Sequence, residues 1–459
     1  MSVILYQYEK VNPTSWAYLS SLLLIALFFK FNRVISLRNL DLGLLILLAP
    51  GLLLVKYSFE NEGVRAGALD AQRLGFLWLL AIDALLITRL LLDTAVVRRP
   101  LLEPNLNAAG LTFLGSSLLF FLMSNVVTGK PTRDDWTPGL SAAEIQAEQD
   151  HGDSFDTQGP GYWLLYLLPR ITTQKLVAGA EEGRPDAASD EAKSQQQEVR
   201  EITARVMAIL SHVLIVSGLV IVGMRHFDNL AAGLSAAAIY LLLPYTAMFT
   251  GDVSHALPAS LLTWAIVMYR WPLLAGMFLG LASATIYYPI FLLPLWCSFY
   301  WERGLKRFLA GVLLTIGAMV LALALTAGTL DGFLQHLTQM FGVRLPRMDD
   351  LRGIWRDAPG FWSPWYRMPL LAAFVILAFS FVAWPVRKHL GTLIACTGAL
   401  MVGTQFWHAH NGGMYVAWFL PLLLLTIFRP NLEERTAPAM VREAWWQTRR
   451  RARATPAAA

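Results

Sequence analysis

The chain has 459 residues, of which 56% are hydrophobic and only 15% are charged, and its formal net charge is +5. A charged fraction so far below the roughly 25% of soluble domains excludes an ordinary water-soluble protein. Stretches without any charged residue, such as 271–301 and 389–428, reach or exceed the ~20 residues that cross a bilayer. The composition therefore predicts an all-α, polytopic integral membrane protein of the cell membrane.

The apolar runs predict about thirteen transmembrane helices. Prolines in the long run 271–301 favour its division into two segments near Tyr287–Pro289. The predicted spans lie near residues 12–29, 41–56, 74–92, 107–128, 206–224, 230–250, 255–269, 271–286, 288–301, 308–328, 367–386, 390–406 and 414–428.

Basic residues in the short connections predict the orientation of these spans. With the N-terminus outside, the short cytoplasmic connections carry twelve lysines and arginines. The basic tail 431–459 then also lies inside, where it serves as a membrane anchor, and no nucleic-acid partner is expected. The connections in question carry Lys30, Arg33, Arg38, Arg98, Arg99, Arg225, Arg270, Arg303, Lys306, Arg307, Arg387 and Lys388.

This topology divides the chain into two membrane regions and the basic tail 431–459. Residues 1–103 form an N-terminal membrane region of three spans, and residues 104–430 form a membrane core with two outward loops, 129–205 and 329–366. A short outward turn, 407–413, follows the next-to-last span. Within the first loop, residues 179–198 are poor in apolar side chains, and we expect them to be disordered.

The first outward loop is rich in carboxylates that can act as general bases. It holds fourteen acidic and eight basic residues. A carboxylate placed beside an acceptor hydroxyl takes its proton as a new bond forms. A merely solvated acidic loop is the alternative interpretation. The candidate acids are Asp134, Asp135, Asp150, Asp153 and Asp156.

The second outward loop combines arginines with aromatic residues. Its arginines recur every three to five positions, and guanidinium groups bind phosphate through paired hydrogen bonds. The aromatic residues suit stacking on a sugar, although anchoring among lipid headgroups explains them equally well. The residues are Arg344, Arg347, Arg352, Arg356, Trp355, Phe361, Trp362, Trp365 and Tyr366.

Histidines occur where two spans reach the same predicted face. His408 and His410 lie in the segment QFWHAHNGGMY, and His255 lies in TGDVSHALP. A zinc site would require a third ligand, and none is adjacent in the sequence, so no metal is predicted. A hydrogen bond to phosphate or sugar is one role for these imidazoles, and capping of a helix at the interface is the other. Asp83 lies inside the third span and ranks lower, because the first three spans look appended to the rest.

Four segments between about residues 107 and 428 follow the pattern of one class of membrane enzymes. They are the loop start TGKPTRDDW, the segment FDTQGPGYWLLYLLP, the paired spans from AAGLSAAAIYLLLP to GLASATIYYPIFLLP, and the last span HNGGMYVAWFLPLLLL. The chain resembles the GT-C class of polyprenyl-phosphate-sugar-dependent glycosyltransferases. It departs from the class in three features: Ser283 follows Gly-Leu-Ala where many members have lysine, the acidic pair is Asp-Asp, and the first three spans have no counterpart.

The resemblance implies transfer of a sugar, mannose by the last-span pattern, from a polyprenyl-phosphate carrier to a glycan, lipid or protein acceptor. The reaction would belong to assembly of the cell envelope, on the non-cytoplasmic face of the membrane. Besides the lipid-linked donor and membrane lipids, no cofactor or metal is implied. The implied catalytic residues are Asp134, Asp135 and Asp156, and the implied substrate-binding residues are Asp153, His255, Arg344, Arg347, His408, His410 and Tyr415.

Three other functions fit the same sequence. A transporter or flippase for lipid-linked precursors would use charged residues within spans, and only Asp83 and Arg89 are of that kind. An oligosaccharide ligase would share the architecture but use a lipid-diphosphate donor. A non-enzymatic membrane scaffold would tolerate substitution of the loop carboxylates.

Overall fold

The structure is a computed structural model that describes residues 12–65, 67–95, 103–128, 189–301, 303–326 and 351–437, with a few single positions between 330 and 348. Within these residues the chain is helical and contains no strand. The helices are α1 (Pro13–Phe28), α2 (Leu37–Asn61), α3 (Ala68–Leu92), α4 (Ala108–Thr128), α5 (Ser189–His226), α6 (Leu230–Leu242), α7 (Pro244–Met248), α8 (Val253–Val267), α9 (Pro272–Thr285), α10 (Leu293–Phe299), α11 (Leu305–Thr326), α12 (Arg367–Ser380), α13 (Leu390–Gln405) and α14 (Leu420–Phe428). Short 3₁₀ turns join several of them, including Tyr288–Leu292 before α10 and Val416–Trp418 before α14.

Polar side chains cap the apolar helices at their N-termini. Asn12 accepts a hydrogen bond from a backbone N–H of the first turn of α1, and Ser36 and Asn229 do the same for α2 and α6. His389 and Thr392 form a reciprocal capping box at the start of α13. These caps satisfy backbone donors that the apolar sequence that follows cannot satisfy.

Five described helices are long and apolar enough to cross a membrane: Leu37–Asn61, Ala68–Ala95, Ala108–Thr128, Glu201–His226 and Leu305–Ala324. Seven further apolar helices are shorter, at 10–17 residues. Over the described residues, the structure therefore confirms an all-helical fold with several helices that can span a membrane. The count of about thirteen spans and the GT-C fold remain predictions.

Prolines set the breaks between several apolar helices. The division of 271–301 is confirmed, because α9 ends at Thr285 and a 3₁₀ turn begins at Tyr288. The run 230–250 is also broken, since α6 ends at Leu242 and α7 begins at Pro244, and the sequence analysis did not predict this break.

The helix that follows the first outward loop starts earlier than predicted. It begins at Ser189, within a stretch expected to be disordered, so that expectation is wrong from Ser189 onward. The first part of α5 is polar, and a search for apolar runs therefore does not detect it. A helix does not need apolar residues on every face to propagate once an apolar continuation stabilises it.

Glycines allow the closest helix contacts in the bundle. A side-chain carbon at Gly276 of α9 would lie 2.2 Å from the backbone oxygen of Phe308, and one at Gly311 of α11 would lie 2.1 Å from that of Leu273. Backbones that approach so closely exclude any larger residue at these two positions. The sequence places glycine there because the two helices pack backbone against backbone.

The N-terminal helices share the hydrophobic core with the rest of the chain. Helix α3 packs along α13, and buried residues of α2 and α3 belong to the same apolar cluster as those of α13 and α14. Buried ion pairs add to this contact. Arg89 donates two hydrogen bonds to Asp41 and one to Asp93, and Arg429 binds the other oxygen of Asp93. The predicted boundary at residue 103 therefore does not coincide with a break in packing.

The bundle has two ends with different polar contacts. We call the end that holds residues 406–415 the turn end and the end that holds residues 429–437 the tail end. At the tail end, Arg435 pairs with Asp228, and its backbone oxygen accepts a hydrogen bond from Leu390. At the turn end, Arg356 pairs with Glu62 at 2.5 Å. These contacts gather the predicted outward segments at one end and the predicted cytoplasmic segments at the other.

Candidate functional site

The histidine-bearing segment of the sequence forms a tight turn after α13. Gln405 is fully buried, and its side-chain oxygen accepts hydrogen bonds from the backbone N–H groups of Gly413 and Tyr415. Gly413 has a φ of +94°, a conformation that favours glycine, and a side-chain carbon at Gly412 would lie 2.2 Å from the backbone oxygen of Gln405. The pair of glycines therefore lets the chain fold back onto the end of α13.

His408 is enclosed at the centre of this turn. Its side chain is 0% exposed, and its Nδ1 accepts a hydrogen bond from the backbone N–H of His410 at 3.1 Å. Burial, with a further contribution from His410, lowers the pKa of His408 well below its usual range, so the imidazole is neutral. Because Nδ1 is an acceptor, the proton lies on Nε2. That Nε2 has no hydrogen-bond partner among the residues the structure describes.

Aromatic rings surround the imidazole of His408. The ring centroid of Tyr288 lies 5.0 Å away in a stacked arrangement, that of Tyr415 lies 4.6 Å away, and that of Trp418 lies 5.6 Å away. Tyr415 in turn stacks on Trp418 at 4.3 Å. The turn end therefore contains a packed aromatic cluster in which Tyr288 and Trp418 are buried and Tyr415 is partly exposed.

Tyr415 also connects His408 to the second predicted histidine. The ring of His255, at the start of α8, lies 4.7 Å from that of Tyr415 and stacks on Phe249 at 4.8 Å. The hydroxyl of Tyr245 lies 2.5 Å from Nδ1 of His255 and hydrogen-bonds to it. His408 and Tyr415, which share one turn, thus form a contiguous cluster with His255 from the distant start of α8.

The described part of the second outward region packs directly on the turn. The backbone N–H of Arg352 donates to the backbone oxygen of Ala409 at 3.1 Å, and Gly353 lies against the backbone of Asn411. The side chain of Arg356 donates hydrogen bonds to Glu62, just after α2, and to Gln72, in the first turns of α3. It therefore joins the second outward region to the ends of these two helices.

A buried arginine that the sequence analysis did not name lies beside the cluster. Arg367, the first residue of α12, is 3% exposed and donates two hydrogen bonds of 3.2 Å to the backbone oxygen of Trp407. Because Trp407 directly precedes His408, these bonds place the guanidinium at the histidine turn. A guanidinium in this position adds positive charge next to the buried imidazole, as an anionic ligand would require.

Asp83 is a second buried charged residue close to the turn. It is 0% exposed in α3, and neither of its oxygens has a hydrogen-bond partner among the described residues. A side-chain carbon at Gly413 would lie 3.8 Å from its Oδ2. The acid therefore borders the histidine turn, although the sequence analysis ranked it low because it lies in the N-terminal spans.

The predicted site residues divide into two groups. His255, His408 and Tyr415 are brought together, and His410 lies half-buried in the same turn. The remaining predictions, Asp134, Asp135, Asp153, Asp156, Arg344 and Arg347, lie outside the described residues. Among the residues that are described, no three histidine, cysteine or acidic side chains converge as metal ligands.

No family model, curated protein or solved structure matches this chain. The site must therefore be interpreted from its own chemistry.

Proposed function

We propose that the chain is a membrane glycosyltransferase of the GT-C type, which transfers a sugar from a polyprenyl-phosphate carrier to an acceptor on the non-cytoplasmic face. One observation carries the proposal. His255, His408 and Tyr415, which come from two separate segments of the sequence pattern, form one cluster at the end of the bundle that gathers the predicted outward segments.

The chemistry of the cluster suits the two parts of a lipid-linked sugar phosphate. The guanidinium of Arg367 and the half-buried His410 supply hydrogen-bond donors for a phosphate. Tyr415, the partly exposed ring of the aromatic cluster, contacts the sugar ring in this proposal. Long apolar helices give the polyprenyl tail a place to lie beside the protein, within the bilayer.

The proposed reaction is a single displacement at the anomeric carbon. The acceptor oxygen forms a bond to that carbon, and the bond between the carbon and the phosphate oxygen breaks, with its electron pair leaving on the polyprenyl phosphate. The acceptor proton passes to a carboxylate, for which Asp134 and Asp135 are the proposed bases and Asp156 a second acid near the donor. Donors at His410, Arg344 and Arg347 would stabilise the negative charge of the leaving phosphate.

The test uses the full chain in lipid vesicles with synthetic polyprenyl-phosphate mannose labelled in the sugar. An alkyl mannoside, a peptide and a glycolipid each serve as the acceptor. We expect release of polyprenyl phosphate together with a labelled product from one acceptor. Substitution of the catalytic carboxylate by asparagine should reduce the rate ~10²–10⁴-fold. Absence of both donor binding and donor consumption in the parent protein would contradict the proposal.

A further inference from the structure

A groove opens at the turn end of the bundle, where α1 begins and α2 and α4 end. Its lining includes Trp16 of α1, Lys56 of α2, Phe121 and Asn125 of α4, and Met248 of α7. The groove holds about 350 Å³, including its open mouth. The rings of Trp16 and Phe121 stack on each other at 5.6 Å and form one of its walls. One cation and one side-chain amide are therefore brought together beside aromatic faces.

Lys56 lies at the depth where the headgroups of a bilayer begin. Helix α2 has no charged residue from 42 to 55, and Lys56 ends this uncharged run. A lysine at the end of an apolar span keeps its stem among apolar groups and reaches the headgroups with its ammonium. Trp16, on the opposite side of the groove, is of a residue type that is enriched at the same level. The groove therefore faces the headgroup layer of the leaflet at the turn end.

An acidic residue follows Lys56 one helical turn farther from the membrane centre. Nζ of Lys56 lies 3.8 Å from Oε1 of Glu60, and the Glu60 side chain is 62% exposed. Four residues of helix rise about 6 Å, and α2 runs toward the turn end, so the carboxylate lies outward of the ammonium. A lysine has three N–H donors and can therefore bind an anion while it remains paired with an acid. From the membrane outward, the groove thus presents hydrogen-bond donors and then an acceptor.

This order of charges matches a phospholipid that carries an ethanolamine headgroup. Its phosphate lies next to the glycerol, and its primary ammonium lies farther out and donates hydrogen bonds. A glycerol headgroup has no cation for Glu60, and the trimethylated nitrogen of choline has no N–H to donate. Toward the membrane centre, α1 and α4 continue with exposed apolar side chains, which suit acyl chains: Leu19, Leu22, Phe113 and Phe120.

We propose that this groove binds phosphatidylethanolamine from the leaflet at the turn end. Its phosphate accepts hydrogen bonds from the ammonium of Lys56 and the amide of Asn125, and its own ammonium donates to Glu60. The site is separate from the histidine turn and does not depend on the proposed function. Helix α7 connects the two, because Met248 lines the groove and Tyr245 holds His255. The bound lipid therefore joins α1, α2 and α4 to the helix that orients this histidine.

The first test measures lipid binding to the full parent chain in detergent by native mass spectrometry. Phosphatidylethanolamine, phosphatidylglycerol and phosphatidylcholine with the same acyl chains are titrated separately. We expect phosphatidylethanolamine to bind about two- to fivefold more tightly than the other two, the size of a partly exposed charge contact. Equal binding of the three lipids, or tighter binding of phosphatidylglycerol, overturns the proposal.

A competition experiment separates this lipid from the phosphate of a polyprenyl carrier. Polyprenyl phosphate is added at an equal concentration to the complex of the parent chain with phosphatidylethanolamine. We expect the phospholipid to stay bound, because the carrier has no ammonium for Glu60. Its displacement would assign the groove to the carrier lipid and overturn the proposal.

Two variants locate the binding in the groove. Lys56→Met keeps an unbranched side chain without the ammonium, and it should weaken binding of phosphatidylethanolamine and phosphatidylglycerol alike, about tenfold. Glu60→Gln should weaken only phosphatidylethanolamine, about two- to fivefold, and abolish the preference over phosphatidylglycerol. The matched control is Lys306→Met, at an exposed lysine in the first turn of α11 at the tail end, and it should bind phosphatidylethanolamine as the parent does.

Unchanged binding by Lys56→Met overturns the proposal, and so does an equal effect of Glu60→Gln on the two lipids. The comparison of lipids on the parent chain needs no variant. It therefore decides the headgroup preference even where a substitution prevents folding.

Discussion

Tyr415 lies between His255 and His408, two histidines from different segments of the chain. Its ring contacts both His255 and His408, and His255 is held in turn by the hydroxyl of Tyr245. The orientation of His255 therefore depends on one hydrogen bond from α7. A residue that no motif singled out, Tyr245, fixes a residue that the sequence analysis predicted.

Removing the hydroxyl of Tyr245 tests its hydrogen bond to His255. Tyr245→Phe leaves Nδ1 of His255 without its partner, and we expect a loss of about 0.6–1.7 kcal/mol in the free energy of unfolding, the range for polar contacts between membrane helices. Donor affinity should fall as well, because the imidazole loses its fixed orientation. Thermal unfolding in detergent and donor binding are the two measurements. Tyr18→Phe, at a tyrosine that is 72% exposed in α1, is the control and should change neither.

At the residue scale, sequence reasoning found the residues that belong to a recognisable local pattern. His255, His408 and Tyr415 lie in segments whose polarity interrupts an apolar run, and the structure brings them together. Arg367 was not predicted and Asp83 was ranked low, each for a physical reason. Arg367 begins a helix and resembles an interfacial anchor, and the importance of Asp83 depends on the packing of α3 against a turn more than 300 positions later.

At the element scale, the glycines of α9 and α11 decide how closely two helices approach. Gly276→Ala and Gly311→Ala would each place a carbon about 2 Å from a backbone oxygen of the other helix, which cannot move without separating the pair. We expect a loss of about 1–3 kcal/mol in the free energy of unfolding for each, as for overpacked cores. Gly317→Ala on α11 is the matched control, since nothing lies within 4 Å of its added carbon.

The measurement is thermal unfolding of the three variants in the same detergent. Gly317→Ala should unfold at or slightly above the parental temperature, because alanine favours a helix over glycine. Equal behaviour of all three variants would show that α9 and α11 are not packed backbone against backbone.

The buried ion pairs that join α2, α3 and the end of α14 form a second element-scale contact. Arg89→Met leaves the carboxylates of Asp41 and Asp93 buried with fewer partners, and we expect a loss of about 3–5 kcal/mol. Arg435→Met removes the more exposed pair with Asp228 and should cost about 1 kcal/mol or less. Chemical unfolding of both variants measures the difference. A small effect of Arg89→Met would mean that these ion pairs contribute little to holding the N-terminal helices in place.

Element boundaries were predictable where the sequence itself marks them. Proline and tyrosine marked the break between α9 and α10, and the capping residues Ser36 and Asn229 mark the starts of α2 and α6. The early start of α5 could not be read from apolar runs, since its first turns are polar. Helix stability there depends on the whole segment, whereas a hydropathy argument reads only its apolar part.

At the scale of the whole molecule, contacts at the two ends agree with the predicted topology. Connections that the positive-inside rule places outside meet at the turn end, as in the pair of Arg356 with Glu62. Connections that it places inside meet at the tail end, where Arg303 donates to Thr436 and Arg435 pairs with Asp228. A misplaced span would have put an outward connection next to an inward one. Which of the two ends faces outward remains a prediction from the charge pattern.

Cysteine labelling tests which end faces out. The native Cys297 and Cys396 are first replaced by alanine, and single cysteines are then placed at exposed positions. Val64 and Trp365, 80% and 72% exposed, belong to the turn end, whereas Ile35 and Val386, 102% and 88% exposed, belong to the tail end. A cysteine in place of Asp186 reports on the first outward loop.

We expect an impermeant thiol reagent to label the cysteines at 64, 186 and 365 in intact cells, and those at 35 and 386 only after the membrane is permeabilised. The physical reason is the basic residues of the tail-end connections, which the insertion machinery retains on the cytoplasmic side. The reverse pattern at all five positions would invert the orientation and move the histidine turn to the cytoplasmic side, which excludes an outward-facing transferase. Labelling of 64 and 365 from opposite sides would contradict the fold itself, because the structure packs the connections that carry them against each other through Glu62 and Arg356.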